Sequence, residues 1–349
     1  MDQKTIGIYL SRILSGFYTF IYNNKKYKLI YPDISIKYES ELYAQQEYEY
    51  SRFNEWITED IIIDTLVNLG LWTYGGDEYV KNLEKQIEDQ KIELYQNFLN
   101  PPKLKNIRKS LSNLKKNYNK LLSVRHSLDQ YTLEGYTNLL KNQYLLVHSL
   151  YDSKNNLIFD SLENTDYALL SNLSAVISNN MIEIPDFRML ARSDLWRNYW
   201  SANNEHLFDK PTINWTDEQK TLVVLTKMYD NAYQHPECPS EKVIEDDDMF
   251  DGWLLLQKKE SEKQKNKNRT EKMLEGKNLG KAGEIFVMAN SQEEAQQIYD
   301  LNDNTSRHII KERHSTIVNS GADISDADLP DNKRNIVVQS NQMFKESRK

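Results

Sequence analysis

The feature that most constrains the fold is a pair of long segments in which apolar residues recur at helical spacing, one on each side of Pro101-Pro102. The first lies between residues 80 and 99, and the second between residues 104 and 122. Apolar residues three and four positions apart share one face of a helix. Because proline cannot continue a helix, the Pro-Pro pair ends the first helix sharply. The pattern predicts a long α-helical hairpin.

Composition and local patterns extend this prediction to the rest of the chain. Glycine (11) and proline (8) are scarce among the 349 residues, which favours long helices. Near the N-terminus, aromatic and β-branched runs at 17–22 and 25–31 flank Asn23-Asn24, a pattern typical of a β-hairpin. We therefore predict a mainly α fold with an N-terminal β-hairpin, a long α-helical hairpin, a helical core and a small C-terminal α/β segment with an extended polar tail.

Four regions follow from these patterns. We expect an N-terminal α+β region with the hairpin (1–75), a helical hairpin with a third helix (76–152), a helical core with a projecting basic helix (153–276), and a small α/β segment with its tail (277–349). In the last region the patterns predict a strand at 285–288, a capping box at Ser291 and Glu294, a short helix at 307–318 and an extended tail from 319.

Charge and cysteine content exclude several classes of protein. The net charge of −8 argues against nucleic-acid binding by the protein as a whole. The single cysteine, Cys238, excludes an intramolecular disulfide and a cysteine-based zinc cluster. The N-terminal residues do not resemble a signal peptide, and no run of about 18 apolar residues is present. We expect a soluble protein made in a reducing cytosol, without membrane contact.

An acidic cluster precedes an apolar run near residue 250. It consists of Glu245, Asp246, Asp247, Asp248 and Asp251. These carboxylates have the chemistry of a Mg²⁺ or Ca²⁺ site, but their spacing matches no Ca²⁺-binding loop. Acids just before a helix also cap it and complement its dipole. We favour this interpretation, with Asp248 as the cap and Asp251 at the third helical position; the metal site stays the alternative.

Two segments are rich in basic residues. Residues 257–270 contain no apolar side chain, and residues 103–125 contain no acid. A helix that is polar all round projects into solvent or lies against another chain. We favour protein contacts over nucleic acid, because the first segment lacks the aromatic side chains of a stacking surface. The candidate partner contacts are Lys258, Lys259, Lys263, Lys265, Arg269, Lys103, Arg108, Lys109, Lys115 and Lys116.

Recognisable catalytic and cofactor motifs are missing from the sequence. The six histidines form no HxxxH or HExxH pair, and Cys238 has no local basic partner. There is no phosphate-binding loop and no GxGxxG. Pro32-Asp33 partly matches a nuclease motif, but Ser35 stands where that motif requires a carboxylate. The sequence predicts a protein without catalytic residues, cofactor or resident metal.

A family resemblance covers residues 191–265, about a fifth of the chain. Its elements are "WRNYW" (196–200), "MYDNAYQHPECP" (228–239) and "DDDMFDGWLLLQ" (246–257). This part of the chain resembles structural and tail-assembly proteins of tailed bacteriophages. The resemblance implies virion or assembly partners, with no active-site residue to carry over.

The leading hypothesis is a non-enzymatic structural or assembly protein of a virus particle that acts through protein–protein contacts. It would work in the host cytoplasm during assembly or in the virion, with a homo-oligomer as a further option. One alternative is a nucleic-acid-associated accessory factor, in transcription or packaging, that binds through the basic helices. The other is a divergent metal-dependent hydrolase that uses the acidic cluster.

Overall fold

The structure, a computed structural model, describes residues 1–54, 56–203 and 206–274, together with residues 295, 296, 299, 302, 307, 310 and 311. Within 266–274 it describes the backbone and the side chain of residue 268. The predicted strand at 285–288, the capping box at 291–294, most of the predicted helix at 307–318 and the tail lie outside the described residues.

The described part of the chain contains twelve α-helices and three short strands, which confirms the mainly α fold. In chain order they are α1 (Gln3–Ser15), β1 (Phe17–Tyr22), β2 (Lys25–Ile30), α2 (Ile34–Ser51), α3 (Glu59–Asn68), α4 (Gly76–Gln96), α5 (Pro101–Arg125), α6 (Leu133–Val147), β3 (Leu150–Asp152), α7 (Tyr167–Asn179), α8 (Ile184–Arg192), α9 (Asp194–Ala202), α10 (Asp217–Gln234), α11 (Glu241–Glu245) and α12 (Asp247–Leu274).

Strands β1 and β2 form the predicted hairpin. They pair antiparallel from Phe17 opposite Ile30 to Tyr22 opposite Lys25. The two turn residues, Asn23 (φ 48°) and Asn24 (φ 59°), are both left-handed, as a tight two-residue turn requires. A third strand, β3, pairs antiparallel with β2. We did not predict β3, because three residues carry no readable alternation.

Helices α4 and α5 form the predicted helical hairpin. Helix α5 begins with both prolines in its first turn, where a missing backbone N–H costs little. The Asn100 side chain accepts a hydrogen bond from the backbone N of Lys103 at 3.3 Å. The apolar faces of the two helices meet through Leu94, Ile107 and Leu111, and the start of α12 adds Met249 to this cluster.

The largest hydrophobic core joins α1, α8, α9, α10 and the first turns of α12. Its centre is aromatic, with Trp196, Tyr229, Phe250 and Trp253 almost fully buried. The buried indole N–H of Trp196 donates to the Thr226 hydroxyl at 2.7 Å, so its polar atom has a partner. The aromatic residues of α9 therefore form part of the core.

Two helices begin with side-chain caps that fit their sequences. Thr216 and Gln219 form a capping box at the start of α10, with both hydrogen bonds present. Thr58 caps α3. The residues from Pro185 form two helices, α8 and α9, which meet at Ser193.

Contacts divide the chain into two units, residues 1–255 and 256–349. The finer division into four regions stays a prediction. No helix among the described residues is long and apolar enough to cross a membrane.

Candidate functional site

The acidic cluster lies where α11 ends and α12 begins. The Asp246 side chain accepts a hydrogen bond from the backbone N of Met249 at 3.0 Å, and its carbonyl accepts from Phe250. The expected cap is therefore present, but the prediction of Asp248 as the capping residue was wrong. The preceding residues form a short separate helix, α11, so the chain turns at Asp246 and α12 begins earlier than its apolar run suggests.

Each of the four aspartates also pairs with a cation from another helix. Asp246 binds Arg108 (2.7 Å), Asp247 binds Arg192 (2.7 Å), Asp248 binds Lys115 (2.6 Å), and Asp251 binds both Lys91 (2.7 Å) and Arg188 (2.6 Å). We call this set of nine side chains the clasp. Its cations come from α4, α5 and α8, so the clasp ties the start of α12 to three helices.

The charges of the clasp nearly cancel, since four carboxylates meet five cations. Burial disfavours the charge on Arg188, but the adjacent Asp251 outweighs it and keeps the pKa of this guanidinium above its usual value. The carboxylate oxygens that would bind a metal ion are thus engaged by cations of the chain itself. A cavity of about 350 Å³ borders the clasp between α8 and the start of α12. Among the described residues, no group of three or more His, Cys, Asp or Glu side chains has the arrangement of a metal site.

A glycine allows α12 to approach α4 closely enough for these ion pairs. A Cβ atom at Gly252 would lie 2.0 Å from the carbonyl O of Lys91. Gly252 is next to Asp251, whose carboxylate binds the Lys91 side chain. Lys91 of α4 therefore contacts α12 through both its backbone carbonyl and its charged side chain.

The ten predicted partner contacts fall into different environments. Arg108 and Lys115 bind Asp246 and Asp248 within the clasp. On α5, Lys103, Lys109 and Lys116 are exposed. On α12, Lys258 pairs with Glu262 at 4.0 Å, and Lys259, Lys263 and Lys265 are exposed. The side chain of Arg269 lies outside the described residues. For all ten, partner binding stays a prediction.

A second buried polar cluster was not predicted. Arg12 donates hydrogen bonds to the Asn180 carbonyl (2.7 Å) and to the Tyr31 hydroxyl (2.7 Å), and it pairs with Glu218. Its guanidinium also lies 4.3 Å from the ring centre of Tyr18. Burial, and then the charge of Glu218, raises the pKa of Tyr31 well above its usual value.

These contacts join residues up to 206 positions apart, which no local pattern reveals. The only available signal was an arginine inside the apolar stripe of α1, between Leu10 and Ile13. A cavity of about 570 Å³ between α1 and β1 adjoins this cluster. Because every guanidinium nitrogen of Arg12 is engaged, the cluster joins α1 to Tyr31 after β2, to Asn180 after α7 and to α10, rather than presenting a free cation to that cavity.

An exposed apolar surface runs along α2 and the segment that follows it. On α2, Ile34, Tyr38 and Leu42 are exposed and lie four residues apart, which places them on one helical face. Further along, Tyr50 and Phe53 are each 81% exposed. Ile57 and Ile61, at the start of α3, are also exposed. We call the three residues Ile34, Tyr38 and Leu42 the α2 outer surface.

Comparison with known proteins finds no relative. No family model matches the chain, and neither does any curated protein or solved structure.

Proposed function

We propose that the protein is a structural or assembly component that acts through protein–protein contacts. The observation that carries this proposal is that α2 exposes three large apolar side chains on the face turned away from α6. Its inner face packs on α6, where Tyr43 stacks on Tyr144 with ring centres 5.5 Å apart. Its outer face presents Ile34, Tyr38 and Leu42 to solvent.

Physical reasoning supports a partner on the outer face. Apolar side chains that lie together on an exposed surface mark interaction sites. Tyrosine is enriched in protein interfaces, since its ring buries much area at low entropic cost. Tyr38 is the residue of this surface that fits such a role.

The finer assignment is to a tailed-bacteriophage particle, and it rests on the resemblance of residues 191–265. Those residues supply the end of α8, α9, α10, α11 and the first part of α12. In this proposal they contribute to the largest core and supply the four aspartates and Arg192 of the clasp, and the α2 outer surface binds another protein of the particle. The protein acts without catalysis, in the host cytoplasm during assembly or in the virion.

The test compares two sets of variants of the full chain in cells that produce the particle. Tyr38→Glu with Leu42→Glu places charge on the α2 outer surface. Val224→Glu is the control, because Val224 is also an exposed apolar residue on a helix, α10, outside this surface. Glutamate is a good helix former, so both variants are expected to keep wild-type circular dichroism.

We expect the tagged wild-type chain to form a complex that survives nuclease treatment. The Val224→Glu variant should retain this complex, and the double variant should lose it. An interface residue of this kind contributes about 2 kcal/mol, so affinity falls at least about 30-fold. A wild-type chain that stays monomeric in these cells contradicts the proposal. Equal complex formation by the double variant and the control contradicts the assignment of the surface.

A further inference from the structure

The cations of α5 divide into two groups that the sequence does not distinguish. Arg108 and Lys115 face the start of α12 and are neutralised by Asp246 and Asp248. Lys105, Lys109, Lys116 and Lys120 are exposed, and within the described part of the chain none of them forms an ion pair. These four residues form what we call the lysine face.

Helix geometry places the lysine face along one line. Successive lysines are separated by four, seven and four residues, so they stay within about 60° of each other around the axis. Fifteen residues of helix separate the first from the last, a length of about 22 Å. Among the other exposed residues of α5, Ser112, Asn119 and Ser123 lie within about 40° of Lys105 around the axis, and they carry hydroxyl or amide groups.

This arrangement costs the folded chain stability. Like charges four residues apart destabilise a helix by about 0.2 to 0.5 kcal/mol per pair, and the lysine face contains two such pairs. Helix α5 contains no acid that would relieve the repulsion. The repulsion is relieved when an extended anion lies along the face.

The composition of the face discriminates between anionic partners. Lysine is depleted in protein interfaces, which are anchored by aromatic and apolar side chains, and the lysine face has none. It also lacks the apolar residues that insert into a lipid surface and the aromatic rings on which unpaired bases stack. Lysine, serine and asparagine side chains are common donors to the phosphates of nucleic acids.

We infer that the lysine face of α5 binds the phosphate backbone of a double-stranded nucleic acid without reading its sequence. A duplex carries one charge per about 1.7 Å of its axis, so it presents negative charge along the whole length of the face. The chain as a whole carries −8, so attraction depends on local positive charge and is strongly dependent on salt.

The test measures binding of short duplex DNA and duplex RNA to the full chain by fluorescence anisotropy over a range of salt concentrations. Lys109→Gln with Lys116→Gln removes two charges from the middle of the face. The matched control is Lys25→Gln with Lys26→Gln, which removes two exposed charges at the β-hairpin. Sodium polyglutamate is the acidic-polypeptide competitor.

Each neutralised phosphate contributes about 0.9 to the slope of log affinity against log salt. We expect a wild-type slope of about −3 to −4, a reduction by about 2 in the Lys109/Lys116 variant, and no change in the control. Equal losses in both variants, or no duplex binding at low salt, overturn the inference. Displacement by polyglutamate as efficient as by duplex shows an acidic protein as the partner and also overturns it.

Discussion

Replacing Asp251 with asparagine removes the carboxylate that holds two cations at the start of α12. Its two oxygens lie 2.7 Å from Lys91 Nζ and 2.6 Å from Arg188 Nη2. The three side chains are 20%, 19% and 14% exposed. Asparagine has nearly the same shape, so the substitution changes charge while leaving the packing around Gly252 intact.

The expected cost follows from this partial burial. Exposed ion pairs contribute about 0 to 1 kcal/mol, whereas removing one partner of a fully buried pair costs about 3 to 5 kcal/mol. The Asp251 pairs lie between these limits, and the variant leaves two cations without a counter-charge. We therefore expect the free energy of unfolding to fall by about 2 kcal/mol, which lowers Tm by roughly 4 to 8 °C.

Thermal unfolding followed by circular dichroism measures this change. The control is Glu262→Gln, because Glu262 pairs with Lys258 at 4.0 Å on an exposed surface and its loss costs less than about 0.5 kcal/mol. Equal Tm values for the two variants would refute the structural role of the clasp. If Asp251 instead helped to bind a metal, Mg²⁺ or Ca²⁺ would raise the Tm of the wild type but not of Asp251→Asn.

Two further predictions concern single buried positions. Gly252→Ala is expected to lower the free energy of unfolding by at least about 2 kcal/mol, because the added Cβ would overlap the Lys91 carbonyl. Gly7→Ala is the control, because nothing lies within 4 Å of its added Cβ, and it is expected to stabilise its helix by about 0.5 to 1 kcal/mol. Similar urea midpoints for the two alanine variants would contradict the close helix contact. Burial raises the pKa of Tyr229 to about 12, from about 10 in an unfolded chain, so the stability it confers is complete below pH 10 and is lost as pH rises to 12. Tyr229→Phe loses a hydrogen bond from Arg192, which lowers the free energy of unfolding by about 1 kcal/mol. Urea unfolding should show that this difference from the wild type becomes smaller above pH 10. A difference that stays constant with pH would count against the raised pKa.

Much of the local structure was predictable because its causes are local. The Asn23-Asn24 turn, the Pro101-Pro102 break and the capping box at Thr216 each depend on residues within a few positions. Apolar periodicity likewise predicted α4 and α5, since one face of each helix must be buried.

The candidate site was less predictable because it depends on contacts between distant residues. The acids of the clasp were visible in the sequence, but their partners lie 55 to 160 positions away, and five cations from three helices meet there only after folding. The same reason explains why Arg108 and Lys115 were grouped with the other cations of α5. The outer surface of α2 was hard to see for another reason, because its apolar residues are interspersed with glutamates and glutamines.

The central claim is that the α2 outer surface is buried against another protein. Hydroxyl-radical footprinting of tyrosines, read by mass spectrometry, tests it in the free chain and in the complex isolated from particle-producing cells. We predict that oxidation of Tyr38 falls several-fold in the complex, while that of Tyr233, an exposed tyrosine of α10, stays the same. Unchanged oxidation of Tyr38 would contradict the account.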